Sequence, residues 1–189
     1  MHEKVFLIRY IVEGGVIVVN ISSVDNDFIQ YVVEKYSDMI LRIAYQNLKN
    51  KSDSEDVAQD TFIKLIKQSE FMDEAHMKAW LIKVTINKCK DLNKTAWYRK
   101  TESLTEIEIP FTEDEAGILE EVFKLSSDYR NVIYLYYYEG YNISEIASIL
   151  DKKENTISSR LTRARKKLKN ILIEGGYSGE KKQLSRIDV

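Results

Sequence analysis

After Val24 the apolar positions follow a helical period almost to the end of the chain. Phe28, Val32, Tyr36, Ile40, Ile43 and Leu48 recur at steps of three to five residues, the repeat of one helix face, and Asp25 or Asn26 stands where an N-cap belongs. Ser52 to Glu55 has the Ser-x-x-Glu form of a capping box. It predicts a second helix with Val57, Ala58, Phe62, Leu65 and Ile66 on its apolar side. A loop over residues 68–73 leads to a third long helix through Trp80 and Leu92. Residues 101–112 carry the single proline, Pro110, among many acids, and read as a solvated linker. Helices are expected over residues 113–125 and 128–139, with Gly140 as a stop. Asn142 and Glu145 form a second capping box, opening a helix over 143–150; residues 151–153 turn, and a last helix runs over 154–173. The tail from Gly175 reads as frayed.

The segment before Val24 is different. Residues 5–21 are apolar but interrupted by Glu13, Gly14 and Gly15. Arg9 and the scarcity of preceding cations exclude a good signal peptide. Two explanations stand. The segment is a small β-hairpin, or residues 1–17 are a start-site misassignment, because Glu-Gly-Gly is the translation of a purine-rich ribosome-binding site and Val18 or Val19 then corresponds to a start codon.

Composition supports the helical reading. One proline and seven glycines in 189 residues suit long helices better than a turn-rich β fold. The expected architecture is all-α: two small helical domains joined by an acidic flexible linker, the second containing a helix-turn-helix. The boundaries are an N-terminal extension over 1–23, a first domain over 24–100, the linker over 101–112, a second domain over 113–175 and a tail over 176–189. No apolar run approaches the ~20 residues that span a bilayer, and one cysteine with two histidines makes neither an internal disulfide nor a usual zinc site.

Net charge is only −2, but it is segregated. Residues 78–100 hold seven cations and one acid, residues 101–121 hold eight acids and no cation, and residues 152–169 hold eight cations and one acid. On the last helix Ile157, Leu161, Ala164 and Leu168 form an apolar stripe. Ser158, Ser159, Thr162, Arg163, Arg165 and Lys166 then point elsewhere: small hydroxyls for base edges, cations for phosphates. A basic amphipathic helix alone would also suit a membrane surface; the capped helix and short turn before it favour DNA. On the third helix Lys83, Asn87, Lys90 and Lys94 make a polar, basic stripe bracketed by Trp80, Trp97 and Tyr98. Cations interleaved with aromatics suit single-stranded nucleic acid, although Trp80 taken alone suits a core slightly better. Asp53, Asp56 and Asp60 share a face of the second helix. They fit a metal site, the helix macrodipole or docking on a basic protein surface, and no second helix supplies matching metal ligands. Neither a catalytic constellation nor a Gly-rich phosphate loop is present, so no enzyme activity, cofactor, metal or small-molecule substrate is expected.

These residues carry a resemblance. Residues 56–62, Asp-Val-Ala-Gln-Asp-Thr-Phe, resemble the acidic-Gln-aromatic motif in domain two of bacterial sigma factors, and residues 80–91 resemble the promoter-melting helix that follows. Residues 138–147 and 156–165 resemble domain four. Two domains and nothing larger is similar to the extracytoplasmic-function (ECF) group. The resemblance implies a cytoplasmic protein that binds core RNA polymerase and promoter DNA, with an anti-sigma factor as the partner common in the group. It places Asp53, Asp56, Gln59 and Asp60 on polymerase. Asn87, with Lys83, Lys90 and Lys94, falls on the minus-ten element, and a flipped base in the loop 68–73. Ser158, Ser159 and Thr162 fall on the minus-thirty-five element, with Thr156, Arg160 and Arg163 on phosphates. Three positions depart from the family pattern: Ser126 stands for Pro, Asp151 for Gly in the turn, and Ser158 for a larger basic residue. A stand-alone regulator binding duplex DNA through residues 126–173 is the alternative; it would bind without polymerase.

Overall fold

The computed structural model describes residues 6–12, 15–21, 26–67, 71–96 and 122–174, with side chains over 27–67, 71–94 and 122–171. The chain divides into two compact units, residues 1–110 and 111–189. The acidic linker and residues 113–121 lie outside the described residues, as do Trp97 and Tyr98.

In the first unit, strands β1 (Phe6–Val12) and β2 (Gly15–Ile21) pair antiparallel in a hairpin, Val12 opposite Gly15 and Phe6 opposite Ile21. Strand β2 lies along the second helix. Three helices follow: α1 (Asn26–Leu48), α2 (Lys51–Ile66) and α3 (Glu74–Ala96). Each packs on the other two. Because α1 faces two partners, its apolar stripe is wide: Ile29, Val32, Val33, Tyr36, Ile40, Ile43 and Ala44 are all buried. Phe28 is not, contrary to the periodicity; at 42% exposed it lies in the first turn, one position off the stripe that Ile29 leads. Helix α2 contributes Val57, Ala58, Phe62 and Leu65, and α3 contributes Leu81, Ile82, Ile86 and Cys89.

The start of α2 corrects the expected capping box. The N-cap is Asn50, whose side chain accepts from the Asp53 amide at 3.0 Å; Ser52 already lies inside the helix. Lys49 before it takes a left-handed conformation, φ 56°, which turns the chain between α1 and α2 so sharply that Asn50 is first to reach the free amides. Ser54, buried, donates to the Asn50 carbonyl. Buried Thr61 and Thr85 each return their hydroxyl to a carbonyl one turn back, so the α2–α3 contact leaves neither unsatisfied.

Cys89 packs with Ala44 and Val57. Burial pushes its thiol up to about 12, and the thiolate is the reactive form. Native protein at about pH 8 should therefore resist thiol reagents, labelling only as fast as it unfolds. Rapid stoichiometric labelling of the folded protein would contradict this burial.

A second tie joins α1 to the start of α3. Lys35 Nζ, Tyr36 Oη and Tyr31 Oη all donate to Glu74 Oε1, at 2.5, 2.7 and 2.9 Å. The Lys35 hydrogen bond, then those of Tyr36 and Tyr31, hold the carboxyl down to about 2 from its ordinary 4.5. A depressed carboxyl stabilises the fold above its unfolded pKa and loses that contribution as pH falls through the folded one. The same carboxylate raises the Lys35 ammonium, whose contribution is complete at every pH below its ordinary value. Melting temperature should therefore fall less steeply between pH 4.5 and about 2 in Glu74→Gln than in the parent, and parallel curves would exclude Glu74 as the titrating group.

In the second unit α4 (Ser127–Ile133) passes directly into a π-helical turn, Tyr134–Tyr138, where an unbroken α-helix over 128–139 was expected. The Glu139 amide reaches back to the Tyr134 carbonyl at 3.1 Å. Leu135 points inward while Tyr134, Tyr136 and Tyr137 are half-buried and Tyr138 is exposed. Gly140 ends the element at φ 75°; nothing lies within 4 Å of where a Cβ would be, so backbone conformation alone favours glycine there. Ser126 precedes α4 with extended backbone and no side-chain cap; its carbonyl still accepts from the Tyr129 and Arg130 amides. Buried Arg130 donates to the carbonyls of Phe123 and Leu125, closing the turn into this unit.

Helix α5 (Ile143–Leu150) has both hydrogen bonds of its capping box: Glu145 amide to Asn142 Oδ1 at 3.0 Å and Asn142 amide to Glu145 Oε2 at 2.8 Å. It ends at Asp151 in the left-handed region, φ 54° and ψ 56°, with the Lys152 amide on the Ala147 carbonyl at 2.9 Å. This is the six-to-one bond of a Schellman stop, made with Asp where glycine is usual. Helix α6 (Glu154–Glu174) follows, its stripe of Ile157, Leu161, Ala164 and Leu168 buried against α4 and α5.

Candidate nucleic-acid interface

Three surfaces carry the candidate residues. The first is an open groove between α2 and α3. Helix α2 contributes Asp53, Asp56, Gln59 and Asp60 with Val57, and α3 contributes Lys88, Asp91 and Leu92. The four residues selected from the sequence thus share one concave surface. Sequence reasoning missed the α3 side, because the pairing of Asp60 with Lys88, 2.6 Å apart, joins positions that no short-range spacing connects. That ion pair is partly exposed and contributes at most about 1 kcal/mol; its consequence is orientation of Asp60. Among the described residues no group of three His, Cys, Asp or Glu is arranged to hold a metal ion.

The second surface is the outer face of α3. Lys83, Asn87 and Lys94 are exposed and Lys90 is half-buried, while Ile82, Ile86 and Cys89 face the core. The stripe is separated from the core as its spacing predicts. Lys94 pairs with Asp91 at 3.0 Å, both exposed. Trp80 is half-buried, with Phe71 edge-on to it at 5.4 Å and His76 edge-on to Phe71 at 5.9 Å. Its ring is neither wholly core nor wholly surface. Of the loop before α3, residues 68–70 lie outside the described residues. Met72 is 88% exposed, and Asp73 caps α3 through its Oδ1 on the His76 amide at 2.7 Å.

The third surface is the outer face of α6. Ser158, Ser159, Thr162 and Arg163 are exposed, and Thr156 is half-buried. Ser159 donates its hydroxyl proton to the Asn155 carbonyl at 2.7 Å, leaving its oxygen lone pairs outward as acceptors. Arg160 is not a simple surface cation: its guanidinium meets Asp128 of α4 at 2.7 Å. Arg165 likewise turns inward, to the π-helical turn after α4, donating Nε–H to Tyr137 Oη at 2.6 Å, where the sequence suggested a phosphate-facing cation. Neither partner is readable from spacing, since both lie in a separate helix about 30 residues earlier and only packing brings them across.

Among the described residues no helix is long and apolar enough to cross a membrane. The chain matches the family Sigma-70 region 2 over residues 32–100 and Sigma-70, region 4 over residues 118–168. It is 28% identical over 169 residues to the ECF RNA polymerase sigma factor SigW of Bacillus subtilis, covering 78% of this chain and 90% of that one. With the ECF RNA polymerase sigma factor SigE of Mycolicibacterium smegmatis it shares 27% identity over 154 residues, covering 75% of this chain and 60% of the relative. Among solved structures it is similar to the sigma factor RpoE of Bartonella quintana, crystallised with the anti-sigma factor NepR, with a TM-score of 0.65 and 25% identity over 78% of this chain and 98% of that one. The fold of CnrH, solved with the cytosolic domain of CnrY, is also similar, with a TM-score of 0.60 over 80% of this chain and 92% of that one. The two sigma-70 regions stand in chain order over the units that carry the three surfaces, and the chain belongs to the sigma-70 family, in its extracytoplasmic-function group.

Proposed function

We propose that this initiation factor docks on core RNA polymerase through the α2–α3 groove, opens the minus-ten element along α3 and reads the minus-thirty-five element with α6. The observation that carries this reading is the gathering of Asp53, Asp56, Gln59 and Asp60 into one acidic groove, on a unit that also exposes Lys83 and Asn87 along α3. A single domain then offers one surface to polymerase and another to a DNA strand. Residues 24–100 form that domain and residues 113–175 the duplex reader. The linker between them lets one chain reach both elements.

The chemistry of each surface suits its role. Exposed lysines attract the phosphate backbone, and Asn87 offers both a donor and an acceptor to an unpaired base. In α6 the hydroxyls of Ser158, Ser159 and Thr162 suit base edges. Thr156, Arg163 and the Asp128-oriented Arg160 suit phosphates, an arginine fork keeping further donors after one ion pair. Polymerase performs the chemistry, so the chain acts in the cytoplasm without catalysis of its own. An anti-sigma factor is an expected partner, as NepR is for RpoE.

The test is transcription with purified chain, sigma-free core polymerase and genomic DNA from the same source, followed by sequencing of the transcripts. Discrete starts sharing two upstream elements and absent without the chain are expected. DNA binding without polymerase and without new starts would identify a stand-alone duplex-binding regulator instead.

A further inference from the structure

The cations of α6 differ in what they meet. Arg163 and Lys166 are exposed. Half-buried Arg160 meets Asp128 of α4, exposed Lys167 lies over the Tyr129 ring at 5.4 Å, and half-buried Arg165 meets two tyrosines of the π-helical turn. Arg165 is held by the most contacts. Its Nε–H donates to Tyr137 Oη at 2.6 Å, and its guanidinium carbon lies 5.2 Å from the Tyr136 ring centroid and 5.5 Å from that of Tyr137. The two rings meet edge to face at 5.0 Å and 72°, so the guanidinium is gripped by a preformed aromatic corner. That corner is built by the π-helical turn Tyr134–Tyr138, a rare element that recurs at functional sites.

We propose that Arg165 is a positioning residue and not a phosphate ligand: through Tyr136 and Tyr137 it fixes the angle at which α6 presents Ser158, Ser159 and Thr162 to duplex DNA. The inference rests on the promoter-reading role given above. Its Nε–H is given to Tyr137 and its guanidinium lies against both rings, so Arg165 is directed toward the π-helical turn, whereas Arg163 on the same helix is exposed. A basic helix laid on DNA loses specificity if it can roll, since sequence is read only where side chains meet base edges. The tyrosine corner of the π-helical turn opposes that roll at the middle of α6.

Phosphate contact and positioning differ in their salt dependence. Each neutralised phosphate adds about 0.9 to the slope of log affinity against log salt; a group that only orients the helix adds nothing. Holoenzyme assembled from core polymerase and the full chain is titrated on the promoter mapped above, over a range of salt, for the parent, Arg163→Ala, Arg165→Ala, Arg165→Lys and Tyr137→Phe. Arg163→Ala should lower the slope by about one. Arg165→Ala should lower affinity roughly tenfold at every salt concentration with the parent's slope, from the lost hydrogen bond and cation–π contacts. Lysine should not rescue it, lacking the planar fork that stacks and donates together. Tyr137→Phe, which keeps the ring, should cost about threefold and add nothing in the Arg165→Ala background.

A slope lowered by about one in Arg165→Ala, with rescue by lysine, would make Arg165 a phosphate ligand and overturn the proposal. Parent-like affinity in both Arg165→Ala and Tyr137→Phe would overturn it equally. Should Arg165→Ala fail to fold, Tyr137→Phe alone decides, by the presence or absence of a salt-independent loss. Failure of the promoter-reading role is distinguishable, because no promoter would then emerge from transcript mapping.

Discussion

Replacing Asp56 and Asp60 together by lysine is expected to weaken core polymerase binding roughly a hundredfold while leaving the fold intact. Both carboxylates line the α2–α3 groove and are exposed, so the substitution changes a surface charge without opening a cavity. Opposed like charges at an interface cost several kcal/mol, and each 1.4 kcal/mol is about a factor of ten. Loss of the Asp60–Lys88 pair subtracts at most about 1 kcal/mol of stability, which a melting curve separates from the binding defect. The measurement is equilibrium binding of the labelled full chain to sigma-free core enzyme. Undiminished affinity would remove α2 from the docking surface. Lys88→Ala is the companion: by freeing Asp60 it should leave core affinity equal or slightly higher, since it removes the cation that competes with a basic partner for that carboxylate.

Asn87→Ala should do the reverse, sparing assembly and impairing opening. Asn87 is exposed on α3, on the face opposite Ile82, Ile86 and Cys89, all buried, so its removal disturbs no packing. A side-chain hydrogen-bonded pair with a base is worth about 1–3 kcal/mol. The expected loss is therefore about ten- to a hundredfold in the fraction of open promoter, read from chemical reactivity of unpaired thymines. Core affinity should stay at the parent's value. Equal losses in both assays would refute the division of the first unit into a docking face and a strand-binding face.

Much of this arrangement is written in local sequence. Asn142 and Glu145 cap α5 because the capping box needs only positions three apart. Gly140 stops the π turn, and Asp151 stands in for glycine because a short polar side chain tolerates the left-handed region. The stripes of α6 and α3 separate as their spacing requires, since helical period alone decides which positions share a face. Charge segregation is equally local: the basic helices and the acidic linker are visible without any coordinates.

What local pattern leaves open, packing decides. Ser52 to Glu55 satisfies the capping rule, yet Asn50 caps α2, because the left-handed Lys49 sets where the chain can re-enter a helix. Phe28 fits the period but not the core. The π turn over Tyr134–Tyr138 follows no short motif, and the acidic cluster of α2 becomes one wall of a groove only because α3 brings Lys88, Asp91 and Leu92 beside it. The sequence by itself determined the helical class and the order of the charged surfaces, since period, caps and charge act over one or two turns. Only the tertiary structure decided which cations of α6 meet Asp128, Tyr129, Tyr136 and Tyr137. Those contacts join helices whose separation in sequence carries no periodic signal, and only the packed core brings them within reach.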